Sequence, residues 1–307
     1  MIGVHRLLIL SKHAKTYREL IESARPSALA IVDTPDDQVE IVFGEPSLIR
    51  PELPRLPAIR WVQSTWAGVE PLLDPSLRRD YVLTNARGVF GPLMTEYVFG
   101  YLLAHERLMF AKHASQQAGK WDPAPPGTLR GKTIGLMGVG TIGAALAKTA
   151  KHFGMRVKGF TRASESCADV DQYFHGEDRF AFVDGLDYLV TTAPNTRQTR
   201  RLVDAALLAA LPARAVFVNP GRGSIVDEQA LAAALGGGRL AGAVLDVFEQ
   251  EPLPADHVFW RTPNVIITSH TAALSIPADI APVFIDNYRR FAAGETLRYR
   301  VDFDREY

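Results

Sequence analysis

Gly138, Gly140 and Gly143, in the stretch GLMGVGTIG at 135–143, are spaced G-x-G-x-x-G. They follow an apolar run, TIGLM, and open an Ala-rich stretch, TIGAALAKTAKHF. In that context the first glycine permits a tight turn, the second lets a pyrophosphate approach the backbone, and the third lets helix and strand pack closely. Thr141 and Ile142 lie in the first helical turn, where unpaired N–H groups and partial positive charge suit phosphates. About twenty residues on, the next strand normally ends on an acid that holds the adenine ribose hydroxyls. That position falls at about Thr161, in VKGFTRAS, and no acid stands there. Thr161, Arg162 and Ser164 offer two hydroxyls and a guanidinium, donors suited to a ribose 2′-phosphate. Glu165 follows, too far past the strand end to meet the ribose. These residues predict a site for NADP(H), with NAD(H) as the second candidate. The plainer alternatives are glycines that serve only the turn and a surface arginine indifferent to the cofactor.

Such a turn needs a parallel sheet behind it. Short apolar runs alternate with helix-like stretches throughout, the pattern of an α/β protein. In the first part the strand candidates are 6–10, 28–32, 40–43, 60–64 and 81–85. In the second they are 133–137, 156–160, 187–192, 215–219, 242–246 and 264–268, near-continuous apolar runs that suit a sheet covered on both faces. Pro92 can start a long helix over 93–118 that Gly119 stops, and the Pro-rich passage WDPAPPGTLRG, 121–131, cannot remain helical. A further helix is expected over 277–291, and the tail RYRVDFDREY has no clear structure. The expected architecture is a Rossmann-type parallel-sheet cofactor domain, 93–276, inserted into a smaller flavodoxin-like α/β domain built from 1–92 and 277–307.

The totals exclude several partners. The chain has 307 residues, 47% of them hydrophobic, and a formal net charge of zero, so no global field favours nucleic acid or an anionic membrane. Its single cysteine, Cys167, excludes an intrachain disulfide and a cysteine-cluster metal site, and no metal is expected. The N-terminal stretch MIGVHRLLILSKH is too short in apolar residues for a signal peptide, and no run approaches a membrane span. A cytoplasmic, soluble protein is expected.

Three later stretches stand after consecutive strands: NPGRGSIVDEQAL at 219–231, LDVFEQEPLP at 245–254 and NVIITSHTAA at 264–273. Together with the glycine turn they resemble the D-isomer-specific 2-hydroxyacid dehydrogenases, and within them the NADPH-using glyoxylate and hydroxypyruvate reductases. The resemblance runs from about Gln63 to the C-terminus. It implies a catalytic set of Arg222, Glu251 and His270. Hydride transfer to a 2-oxo acid needs a cation for the carboxylate and carbonyl, which suits Arg222. It needs a proton for the developing alkoxide, which suits His270, and a carboxylate to orient and charge the imidazole, which suits Glu251. The resemblance also implies that Asp246 meets the nicotinamide carboxamide, and that Ala193, Pro194 and Thr199 lie beside the adenosine. It implies that the loop carrying Trp66, Ala67 and Gly68 offers backbone N–H groups to the substrate carboxylate.

Two positions depart from the family pattern. Trp66 stands where a small residue is common, and Ser269 precedes His270 where proline is usual. Arg87 can reach an acidic substrate or serve as an ordinary surface residue. The implied activity is reduction of a small 2-oxo acid with NADPH, and the helix over 93–118 implies a homodimer. The rivals are an NAD-dependent dehydrogenase of another acid, a dinucleotide-sensing regulator without turnover, and a methyltransferase with a glycine-rich loop.

Overall fold

Among the described residues twelve strands form two sheets, and every strand in each runs parallel to its neighbours. The structure is a computed structural model, and it describes residues 4–307. The first three residues of MIGVHRLLILSKH lie outside the described residues. The chain divides into two compact units, one made of the residues up to Val89 with Ser275–Tyr307, the other of Phe90–Leu274.

The first unit holds β1 (His5–Leu10), β2 (Leu29–Val32), β3 (Ile41–Gly44), β4 (Trp61–Ser64) and β5 (Val82–Thr84), in the order β2-β1-β3-β4-β5. That is the flavodoxin-like order. The C-terminal helix, Pro277–Ala292, belongs to the same unit, and its apolar face carries Phe284 into the sheet. The Phe284 ring stacks between Phe43 of β3 and Trp61 of β4, with centroid separations of 4.7 and 5.2 Å. A buried polar chain runs beside it. The Trp61 indole N–H donates to Thr84 Oγ1, the Thr84 hydroxyl donates to Gln63 Oε1, and Asn287 of the helix donates to the same Gln63 oxygen. The tail, without a clear reading in sequence, docks here too: Arg300 bridges Thr84 antiparallel, and the Val301 N–H donates to the Leu83 carbonyl.

The second unit holds β6 (Thr133–Met137), β7 (Arg156–Phe160), β8 (Gln172–Phe174), β9 (Tyr188–Thr191), β10 (Val216–Asn219), β11 (Gly242–Leu245) and β12 (Val265–Ile267). Their order is β12-β11-β10-β9-β6-β7-β8, so the winding reverses between β6 and β9. In open α/β sheets that reversal leaves a crevice at the strand C-termini. β6 and β9 are buried along their whole length, as strands covered on both faces must be. Two helices in this unit begin on aspartates that cap them: Asp204 accepts from the Leu207 N–H and Asp227 from the Ala230 N–H.

The structure departs from the sequence reading twice here. The single helix expected over 93–118 is two, Gly91–Glu106 and Met109–Gln117, separated by Leu108 at φ +54°. The break follows Glu106, a buried carboxylate that accepts from Tyr188 and pairs with Lys132, while its carbonyl accepts from the Gly127 N–H. Those partners lie in distant segments, so no local residue announces the break. The edge strand β8 was not expected either, because three residues of mixed polarity carry no period.

Removing the Phe284 ring leaves a cavity between two aromatic faces. Phe284→Ala is expected to lower stability by about 3–5 kcal/mol in urea unfolding. A loss below about 1 kcal/mol would show that the stack does not hold the C-terminal helix.

Candidate active site

Gly138 follows β6 with φ +103°, a conformation side chains disfavour, and its N–H donates to the carbonyl of Phe160 at the end of β7. A methyl group on Gly138 would lie 2.7 Å from the Ala193 nitrogen, and one on Gly143 would lie 2.3 Å from the Gly138 oxygen. A methyl group on Gly140, by contrast, would meet nothing within 4 Å. Two glycines are therefore needed by the protein itself, and the middle one faces open space at the N-terminus of the helix Thr141–His152. Thr141 is exposed there and Ile142 half-buried. Across the crevice Ala193 is buried and Pro194 exposed, and the Thr199 hydroxyl donates to the Pro194 carbonyl, closing the loop on itself.

At the end of β7 the Thr161 N–H pairs with the Phe174 carbonyl of β8, and its hydroxyl donates to the Ser164 carbonyl. Arg162 and Ser164 are exposed. Glu165 turns to His175, with Oε1 2.7 Å from Nε2.

Past β10, fully buried Asn219 organises the next turn. Its Oδ1 accepts from the Thr191 hydroxyl and the Gly221 N–H, and its Nδ2 donates to the Arg222 carbonyl. Gly223 lies so close to Phe248 that an added methyl would stand 1.9 Å from that residue's carbonyl carbon. This close approach brings the Arg222 turn against the segment that carries Glu251. The Glu251 carboxylate accepts from the Phe248 N–H through Oε1, and its Oε2 stands 2.7 Å from His270 Nδ1.

His270 itself sits at φ +56°, and its loop is tied down by Asp246. The Asp246 carbonyl accepts from the His270 N–H. The Asp246 side chain, only 1% exposed, accepts from the Thr268 hydroxyl and from the N–H groups of Thr271 and Ala272. Tyr97 extends this chain with its hydroxyl 2.9 Å from Thr268 Oγ1. Ser269, where the family resemblance expects proline, precedes His270 in a loop that is bonded to Asp246 on both sides of the histidine.

Electrostatics follow the geometry. The hydrogen bond that its ring donates to Glu251 raises the His270 pKa against the opposing effect of burial, with the charges of Glu251 and Asp246 adding to it and that of Arg222 subtracting. For Glu251, burial opposes ionisation, but the bonds from His270 and Phe248 and the charges of His270 and Arg222 outweigh it, and its pKa is lowered. The arrangement favours an ion pair whose imidazolium can give up a proton.

In the first unit the loop after β4 carries Trp66, which is 38% exposed. Its N–H donates to Ser64 Oγ and its carbonyl accepts from Ala86, while the Ala67 carbonyl accepts from Asn85. Among the described residues no protein acceptor meets the N–H of Ala67 or Gly68. Arg87 is half-buried in the same unit.

Residues 99–272 match the D-isomer specific 2-hydroxyacid dehydrogenase, NAD binding domain. The chain belongs to that family. Its similarity extends beyond the domain: it is 35% identical to a glyoxylate/hydroxypyruvate reductase A of Salmonella paratyphi B over 302 residues, 96% of this chain and 92% of the relative. A crystal structure of a D-isomer specific 2-hydroxyacid dehydrogenase family protein from Aeromonas salmonicida superposes with a TM-score of 0.92 at 40% identity, covering 98% of this chain and 100% of that one. A D-isomer specific 2-hydroxyacid dehydrogenase from Xanthobacter autotrophicus, in complex with NADPH and MES, gives 0.90 at 32% identity, covering 99% and 100%.

As a 2-hydroxyacid dehydrogenase, the chain carries supporting residues that sequence reading did not single out. Asn219 had a signal, a polar residue closing an apolar strand before Gly221. Tyr97, Thr268 and His175 had none, because their partners lie far along the chain.

Glu251→Gln keeps the shape of the pair and removes its charge. The His270 titration midpoint, followed by NMR of the ring protons, is expected to move to lower pH in this variant. An unchanged midpoint would mean that the two groups are not coupled.

Proposed function

We propose that this chain is an NADPH-preferring reductase that converts a small 2-oxo acid, of the glyoxylate or hydroxypyruvate type, to its 2-hydroxy acid. The observation that carries the reading is the 2.7 Å contact of His270 with Glu251, on a loop fixed by Asp246 and under the field of Arg222. A protein that only sensed a dinucleotide would need none of these groups. The naming of the Salmonella relative and the NADPH complex of the Xanthobacter structure support the same substrate and cofactor.

The nicotinamide, when bound, supplies the hydride. The open space at Gly140 and the exposed helix start at Thr141 fit the pyrophosphate, and Thr161, Arg162 and Ser164 suit the 2′-phosphate. Ala193, Pro194 and Thr199 suit the adenosine side. Arg222 is suited to hold the substrate carboxylate and polarise the carbonyl. In the other unit, the N–H groups of Ala67 and Gly68 are donors suited to a carboxylate, and Trp66 on the same loop favours short acids. His270 delivers its proton through Nε2 to the oxygen that gains charge, because Nδ1 faces Glu251. Asp246 serves the nicotinamide end while its carboxylate holds the His270 loop. Exposed Met109, Phe110 and Trp121 support pairing with a second copy of the chain, and the lone Cys167 suits a reducing, cytoplasmic setting.

Two outcomes test this reading. Arg162→Ala is expected to weaken NADPH binding about 10- to 150-fold, the worth of one charge-assisted contact, with NADH affected much less. If the unmodified chain uses NADH better than NADPH, the cofactor reading is wrong. Reduction needs protonated His270 and must fall as pH rises through its raised pKa, whereas oxidation needs the neutral ring and must fall as pH drops through it. His270→Gln is expected to lower kcat by about 10²- to 10⁴-fold and to remove both limbs. Limbs that persist in this variant would assign the proton to another group.

A further inference from the structure

His175, the residue after β8, sits beside the strand end where Thr161 and Arg162 stand. Its Nδ1 lies 3.0 Å from the Thr161 carbonyl oxygen and 3.2 Å from the Thr161 hydroxyl, and its Nε2 lies 2.7 Å from a Glu165 carboxylate oxygen. The Thr161 hydroxyl already donates to the Ser164 carbonyl, so it can only accept from the ring. Both ring nitrogens therefore face acceptors, an arrangement that an imidazolium, with its two N–H groups, satisfies in full. The same partners act in the same direction on its titration: the bond to Glu165 first, then that to Thr161, then the charges of Glu165 and Asp178 raise the pKa, with desolvation opposing. Tyr173 of β8 also faces the ring, lying parallel to the imidazole at 6.4 Å. Its hydroxyl is engaged with the Cys167 backbone and its pKa is raised by burial first, so it stays neutral while His175 titrates.

Glu165 stands too far along the chain to meet the ribose itself, but its contact with His175, which also meets Thr161, brings its charge to the cofactor end of β7, where an acid disfavours a 2′-phosphate. It is tolerated there because His175 neutralises it. We propose that Glu165 and His175 form a pH-dependent discriminator between the two dinucleotides: paired and neutral overall they admit NADP(H), and once His175 loses its proton the uncompensated Glu165 carboxylate repels the 2′-phosphate and shifts the preference toward NAD(H). The proposal rests on the NADPH reading above and adds to it the residues that set its pH range.

The test is binding of NADP⁺ and NAD⁺ to the full chain by titration calorimetry between about pH 6 and pH 9, the span over which a histidine and its partner exchange charge. The quantity followed is the ratio of the two dissociation constants. In the unmodified chain the preference for NADP⁺ is expected to fall about five-fold across this range, as one added negative charge near a phosphate dianion implies. Glu165→Gln is expected to hold the preference at or above the low-pH value of the unmodified chain, with its fall moved to lower pH along with the His175 midpoint, and His175→Gln to hold it low throughout. The 2′-phosphate itself titrates near about pH 6, but it does so equally in all three proteins, so the differences among them isolate the pair. NMR titration of the His175 ring supplies a second readout, with its midpoint expected to drop in Glu165→Gln. A preference for NADP⁺ at low pH that changes identically in the unmodified chain and both variants would overturn the discriminator and leave the NADPH reading standing. No preference for NADP⁺ at any pH would overturn both.

Discussion

Parallel strands share one direction, and in this protein that constraint decides where chemistry can occur. Each strand of the larger sheet ends on the same edge, so each following turn meets the others there. Gly138 after β6, Thr161 after β7, Ala193 after β9, Arg222 after β10, Asp246 after β11 and His270 after β12 are all placed by this rule. The reversal of winding between β6 and β9 keeps a crevice open at the middle of the edge. Close approach then does the fine placement. Gly138 and Gly143 pack turn against loop and helix, and Gly223 packs the Arg222 turn against Phe248.

Within this frame the reactive groups are held mainly by backbone hydrogen bonds. Asp246 receives two N–H groups and a hydroxyl from the His270 loop, and Asn219 ties the Arg222 turn to β9 through Thr191. Both side chains are nearly inaccessible, so breaking either set leaves a polar group buried without water to replace its partner. Such loops resist drift, and resistance to drift is what a proton donor needs. The charges are balanced in the same spirit. Glu251 favours the imidazolium while burial and Arg222 oppose it, so His270 remains able to lose its proton.

A second acid–histidine pair, Glu165 with His175, stands at the cofactor end of the same edge. It resembles the first both in its 2.7 Å contact and in meeting solvent through both partners. Solvent weakens such a pair as a source of stability. Its effect is felt instead by whatever anion binds beside Thr161 and Arg162.

The local sequence determined the strands and the phosphate turn because both depend on short-range rules. Apolar runs such as TIGLM and RVKGF are strands to the residue, and the spacing of Gly138, Gly140 and Gly143 encodes the turn without help from elsewhere. Each family motif is likewise a short contiguous stretch, which is why Arg222, Glu251 and His270 could be put forward as candidates from the chain alone. What only the tertiary structure decided depends on partners far apart in sequence. The helix expected over 93–118 breaks because Glu106 is drawn to Tyr188 and Lys132. The edge strand β8, the link from Tyr97 through Thr268 to Asp246, and the pairing of Glu165 with His175 arise the same way. Periodicity and motif report what a residue prefers from its neighbours along the chain. Which buried or charged group it finally meets is set by packing, and no local pattern carries that information.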